Sequence, residues 1–205
     1  MDDKINSENK SAETSKFFDD LMDMAESVLY AVFIVLLLFT YVLRIATVEG
    51  SSMEPTLQNE DRLIVSDIFF TPKQKDIIII KSEKAHLFAD ESETEIIESD
   101  GLNKRIVKRV IATEGQTVDI DFELGDVYVD GEKIYESYIA DLTTRDEGAF
   151  DYPITIPEGY LFVMGDNRMW SKDSRHPEVG LIKNEDVSGH VILRIAPFEK
   201  FGFIY

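Results

Sequence analysis

Residues 27–43, SVLYAVFIVLLLFTYVL, run for seventeen positions without a charge, and this stretch constrains the chain more than any other. As a helix it spans about 25 Å at ~1.5 Å per residue, a little short of the ~30 Å hydrocarbon layer of a bilayer. The gap closes if the helix continues to Val48 while the Arg44 guanidinium reaches back to water. A buried core helix would show a polar stripe, and this run shows none. A cleaved leader would carry a basic flank, whereas acids outnumber bases in residues 1–26. The expectation is one transmembrane helix over 27–47, preceded by a short, loosely ordered polar tail over 1–26. Lys10 and Lys16 on one side and Arg44 on the other leave the orientation open on charge alone.

From residue 48 the pattern changes to short β-branched or alternating runs separated by Gly, Pro, Asp and Asn, among them DRLIVSDIFF, QKDIIIIKS, RIVKRVIAT, DVYVDGEKIY, EGYLFVMGD and GHVILRIAP. Residues 127–134 predict a hairpin, with Asp130 and Gly131 supplying a type I′ turn. No amphipathic helix of ten residues is visible there. The fold class expected is therefore mostly β, a single N-terminal helix followed by one β-rich domain over 48–205, a size that 205 residues accommodate. Segments 81–104 and 140–151 are polar and are expected to be surface loops.

Composition closes several functional classes. Forty acids against 21 bases give a net charge of −19, a field that repels phosphate backbones, so no nucleic-acid partner is expected. There are no cysteines, which removes disulfides and thiolate metal sites. His86, His176 and His190 lie far apart, so neither a metal site nor any cofactor is expected.

Three segments hold residues able to do chemistry. GSSMEPTL, residues 50–57, places Ser51 and Ser52 ahead of an X-Pro step that pushes Glu54 to an extended conformation. In RIVKRVIA, strand alternation sets Lys108 on one face with Ile106 and Val110, and Arg109 on the other with Val107 and Ile111. A lysine among apolar side chains loses hydration of its ammonium form, its pKa falls, and the neutral amine becomes able to deprotonate a serine. An edge lysine with its head in water would fit the same pattern. The segment MGDNRMWSKDSRHPEVG, residues 164–180, holds two Asp-x-Arg pairs, Asp166 with Arg168 and Asp173 with Arg175, which suggest a loop pinned by charge.

Together, GSSMEPTL, VKRVIATEGQ and GDNRMWSKDSR resemble, in order and spacing, the signature segments of the type I signal peptidases, membrane-bound Ser/Lys proteases that cleave signal peptides from exported preproteins. The resemblance covers about three quarters of the chain, from the apolar run to RIAPF. It implies Ser52 as nucleophile, Lys108 as general base, Ser171 as the hydroxyl orienting that amine, Asp173 and Arg175 as a brace, and Asp166 as the structural partner of Arg109. A lysine base rather than a histidine marks the bacterial or organellar type. The implied partners are secretory preproteins with small residues before the cleaved bond, and membrane lipid. The implied location is the cell membrane, single-pass, with the N-terminus cytoplasmic and the catalytic domain outside. Apolar side chains at Met53, Phe69 and Phe70 and in the tail FEKFGFIY either meet the bilayer surface or pack in the core.

The sequence departs from the family pattern in places. Met169-Trp170 stands where Asp-Asn is usual, HPEVG follows the DSR step, and Ala112-Thr113-Glu114-Gly115-Gln116 replaces GLPGD. Gly50 occupies a position where some members carry a hydroxyl, leaving the Ser52 N–H and an unnamed second donor for an oxyanion hole. Two other readings share these features: a self-cleaving Ser/Lys protease, and an inactive membrane-anchored β-module that binds exported peptides.

Overall fold

The computed structural model describes residues 2–66, 70–90 and 93–204, leaving aside some side chains of the N-terminal helix. That helix, α1 (Asp2–Tyr41), and the body from residue 44 onward are two compact units. The tail expected to be loosely ordered is helical from Asp2. The expected extension to Val48 does not occur: α1 ends at Tyr41 and β1 (Leu43–Thr47) follows, hydrogen-bonded to the strand after it. Arg44 is therefore a strand residue rather than the last turn of a helix.

The apolar side chains described along α1, from Val28 to Leu36, are exposed all round. Its hydroxyls turn inward: Ser27 Oγ donates to the Asp23 carbonyl and Thr40 Oγ1 to that of Leu36. Among the described residues no helix is long and apolar enough to cross a membrane; the side chains of Leu38, Phe39 and Tyr41 lie outside that set.

The body is mostly β, as its alternating runs predict. Its further strands are β2 (Arg62–Ser66), β3 (Ile77–Phe88), β4 (Ile96–Thr113), β5 (Thr117–Asp121), β6 (Asp126–Val129), β7 (Glu132–Lys133), β8 (Ile154–Thr155), β9 (Tyr160–Met164), β10 (Ile182–Lys183), β11 (Val187–Ala196) and β12 (Gly202–Phe203). The larger sheet runs β1-β2-β11-β3-β4-β9-β10, with β12 also on β11, and the smaller runs β7-β6-β5-β8. The β6–β7 hairpin turns on Asp130 (φ 54°) and Gly131 (φ 79°), the two left-handed residues a type I′ turn requires.

Ile77 to Ile80 are all buried, and they sort by parity. Ile77 and Ile79 join Met53, Leu57, Leu63 and Val65 in one cluster, while Ile78 and Ile80 join Ile106, Val110 and Val163 in another. A third core, built from Ile111, Val118, Val127, Ile154 and Phe162, packs the smaller sheet against β4 and β9.

Segment 81–104, expected as a loop, is instead mostly strand: β3 and β4 pair from Ile77 with Arg109 out to Phe88 with Ile96. The arm has polar side chains because most of it faces water; its buried residues, Ser82, Ala85 and His86, are held by β4 and by a bridge from His86 to Leu181. Segment 140–151 does lack regular structure, yet Thr143 and Phe150 in it are buried. Met53 packs in the core, Phe70 stacks on His190 at 4.1 Å, and Phe198, Phe201 and Phe203 are exposed. Phe69 lies outside the described residues.

Candidate active site

Ser52 sits on a turn held from both sides. Below it, Met53 and Leu57 are buried and joined by the hydrogen bond from Leu57 N–H to the Met53 carbonyl, 2.9 Å. Gly50 has φ +88°, a conformation that favours glycine, and its N–H donates to Asn59 Oδ1 at 2.9 Å. Above it, Asn167 clamps two successive peptides: its N–H donates to the Ser52 carbonyl at 3.0 Å and its Nδ2 to the Ser51 carbonyl at 3.1 Å. The Ser52 N–H meets no acceptor among the described residues.

Lys108 approaches from β4. Its amine donates to Ser52 Oγ at 2.9 Å and to the Val107 carbonyl at 2.9 Å. The side chain is 2 % exposed, and its strand partner is Ile78. Burial lowers the pKa from 10.5 to about 8; among nearby charges, Asp173 and Asp166 pull it up, and Lys104 and Arg175 push it down. A neutral amine is thus accessible near neutral pH, facing a serine hydroxyl at hydrogen-bond distance.

The loop after β9 supplies the walls. Asp173 and Arg175 are buried and doubly bonded, Nε to Oδ1 at 2.8 Å and Nη2 to Oδ2 at 2.9 Å. Burial raises the Asp173 pKa, but the charge of Arg175 and hydrogen bonds from Arg175 and the Gly165 N–H bring it below the ordinary carboxylate value. Arg175 reaches on to the Arg145 and Arg168 carbonyls, so it also ties segment 140–151 to the site.

Arg109 and Asp166 form a second buried pair, Nε to Oδ1 at 2.8 Å and Nη2 to Oδ2 at 2.7 Å. The other Asp-x-Arg pairing expected from sequence, Asp166 with Arg168, does not form. Asp166 accepts instead from Arg109 and from Thr56 of the serine turn, while Arg168 pairs with Glu136 and donates to Thr143. The reason is reach: Arg168 turns back over the loop, its Nε donating to the Gly165 carbonyl, and faces the segment after β7. Tyr138 completes this layer, with the Arg109 guanidinium 4.0 Å above its ring and its hydroxyl donating to Glu136.

Ser171 Oγ is buried and makes no hydrogen bond to the Lys108 amine. It lies against Gly165: a Cβ added there would meet Ser171 Oγ at 2.1 Å and the Ser52 carbonyl at 2.4 Å. Gly165 and Asn167 are site residues that sequence reasoning gave no role, although both lie in the GDNR segment it singled out. Glu136, Tyr138 and Thr143 carried no signal at all. Beside Ser171 stands Trp170, the chain's one tryptophan, 77 % exposed. No group of three His, Asp or Glu side chains placed to hold a metal ion occurs among the described residues.

Comparison with known proteins identifies the chain's relatives. The family described as "Signal peptidase, peptidase S26" matches residues 21–196. The chain is 33 % identical to a probable signal peptidase I-1 of Synechocystis sp. over 84 % of this chain and 81 % of that protein. It is 31 % identical to a signal peptidase I of Bacillus licheniformis over 89 % of this chain and 92 % of the relative. A solved signal peptidase I of Enterococcus faecalis is 28 % identical, covering 59 % of this chain and 97 % of its own, with a TM-score of 0.43. On the extent of the family match and of these sequence relatives, the chain belongs to the signal peptidase family, peptidase S26, as a protease of the signal peptidase I type.

Proposed function

We propose that this protein removes signal peptides from exported preproteins with Ser52 as nucleophile and Lys108 as its base. The observation that carries the reading is the 2.9 Å contact between a buried lysine amine and the Ser52 hydroxyl, with the amine's pKa lowered to about 8. Neutral Lys108 takes the Ser52 proton as the oxygen attacks the scissile carbonyl. The lysine then gives that proton to the leaving amine as the C–N bond breaks, and activates the water that splits the acyl-enzyme. The Ser52 N–H stabilises the oxyanion. Gly50 N–H is committed to Asn59, and position 50 brings no hydroxyl.

Asp173 and Arg175 brace the loop behind Lys108, and the Arg109–Asp166 pair locks the lysine strand to the serine turn through Thr56. Ser171, buried against Gly165 beside the serine turn, orients the amine when substrate binds. Substrate binds extended along β4. β9 joins β4 only from Arg109 onward, so the β4 edge over Lys104–Lys108 is open to an added strand whose small side chains precede the cleaved bond.

The anchor is α1. Its stretch from Val28 to Leu37, apolar and exposed on every side, is suited to lipid, and the nearby hydroxyls of Ser27 and Thr40 are satisfied within the helix. The N-terminal tail then lies in the cytoplasm and the body outside, with Phe198, Phe201 and Phe203 toward the bilayer surface.

Cleavage of a preprotein at its signal-peptide junction by the detergent-solubilised protein tests the reading. Ser52→Ala and Lys108→Ala are each expected to abolish it, with Ser51→Ala and His176→Ala active. Cleavage surviving in Ser52→Ala overturns the assignment.

A further inference from the structure

One apolar group on the active-site loop is left uncovered. Among the described residues Trp170 is the only large apolar side chain between positions 143 and 197 that stands exposed. Its indole stacks on no ring and makes no side-chain hydrogen bond among those residues. The backbone beneath it, by contrast, is fixed. Three successive carbonyls are each taken: that of Asn167 by the Trp170 N–H at 3.1 Å, that of Arg168 by Arg175 Nη2 at 2.8 Å and that of Met169 by Arg145 Nη1 at 3.1 Å. A large ring held in water on so firm a backbone is pre-organised for contact, because an aromatic side chain with few rotatable bonds loses little entropy when it is covered.

Its position says what covers it. The turn from Asn167 to Trp170 sets their Cα atoms within about 7 Å, and Asn167 is bonded directly to the Ser51 and Ser52 carbonyls. On its other side Ser171 is buried against Gly165. The β4 edge is closed from Arg109 onward, where Met164 pairs with it. A peptide running along the open part of that edge, with its reacting carbonyl at Ser52, therefore meets the end of β9. The residues past that carbonyl turn out across the loop that starts at Gly165. At ~3.3 Å per extended residue, roughly the first three of them come level with Trp170. The small side chains expected of the substrate precede the bond, and those that follow it carry no such requirement. Cations flanking the ring are already paired, Lys172 with Glu178 and Arg145 with Glu147, so the surface presented there is apolar rather than ionic.

We infer that Trp170 is a specificity-determining residue that reads an apolar side chain within about three residues after the cleaved bond, in the mature part of the preprotein. This rests on Ser52 and the β4 edge acting as proposed above.

The test uses the full chain in detergent and peptides spanning a cleavage junction, with Leu, Ser, Glu or Lys walked through five positions after the bond. At one of the first three, kcat/KM for Leu is expected to exceed that for Ser by about fivefold, with Glu and Lys no better than Ser. The Leu/Ser ratio should fall to parity in W170A and in W170N, and persist in W170F, which keeps a flat apolar ring. No Leu preference in the first three positions, one that survives in W170A, or a preference for Lys overturns the inference. So does a loss in W170A that is equal for every peptide, which makes the ring a support of the loop. A loss confined to enzyme in phosphatidylglycerol liposomes also overturns it and assigns the ring to lipid. Enlarging the small residue before the bond in the same peptides reports on the β4 edge: a response there with a flat scan beyond the bond sinks the Trp170 subsite alone. The Leu/Ser ratio read as peptide affinity for Ser52→Ala judges the subsite without turnover, and cleavage persisting in Ser52→Ala refutes the dyad alone.

Discussion

The Lys108 amine is stored where its charged form is costly. Since only the neutral form is a base, kcat/KM is expected to fall as pH drops through about 8. The same burial has a stability consequence. The folded-state pKa lies below the unfolded 10.5, so the cost is fully present below about 8 and disappears as pH rises toward 10.5. Lys108→Met is therefore expected to abolish activity while stabilising the protein at pH 7 by up to about 3.5 kcal/mol, at ~1.4 kcal/mol per pKa unit; a calorimetric Tm below wild type would contradict this. Lys104→Gln removes a positive charge that disfavours the ammonium form, so the acid limb of the profile moves to higher pH. Gly165→Ala drives a methyl into Ser171 Oγ and the Ser52 carbonyl, and a loss of 100-fold or more in kcat is expected in a preprotein assay. Alternation alone places Lys108 among apolar residues, and the family motif separates Ser52 from Ser51. Nothing local marks Gly165 or Asn167, because their importance comes from touching a turn more than a hundred residues away.

Among the elements, β4 does the most. Its inner half is core strand and carries Lys108 and Arg109, and its outer half builds the arm with β3. The inner half is legible as a β-branched run. The outer half is not, since a ribbon wet on most of its surface needs no apolar face, and KSEKAHLFADESETEIIESDGLNK then resembles a loop. The segment after β7 misleads for the opposite reason: it has no periodicity, yet Glu136 is the buried counter-ion of Arg168. Glu136→Ala leaves that guanidinium buried and uncompensated, and a destabilisation of about 3 kcal/mol or more by denaturant unfolding is expected.

At the scale of the whole molecule, a charge of −19 acts over distances that no single contact spans. Signal peptides begin with a basic segment, so preprotein association is expected to be steered, with kcat/KM decreasing as ionic strength rises. A salt-independent rate would show that the acidic surface takes no part in substrate capture. Cutting the chain after Tyr41 is expected to move the remaining body from the membrane fraction to the soluble one. An N-terminal helix and a β-rich body follow from composition and periodicity, whereas the boundary at Tyr41 depends on a strand pairing that no helical pattern announces.

Trp170 gives this enzyme an optical readout of its own. With one indole in the chain, exposed and next to Ser171, emission on excitation near 295 nm comes from the active-site loop and nowhere else. Adding an uncleaved preprotein peptide to Ser52→Ala is expected to shift that emission to the blue as the ring leaves water, so that occupancy is followed by colour, without a label and without turnover.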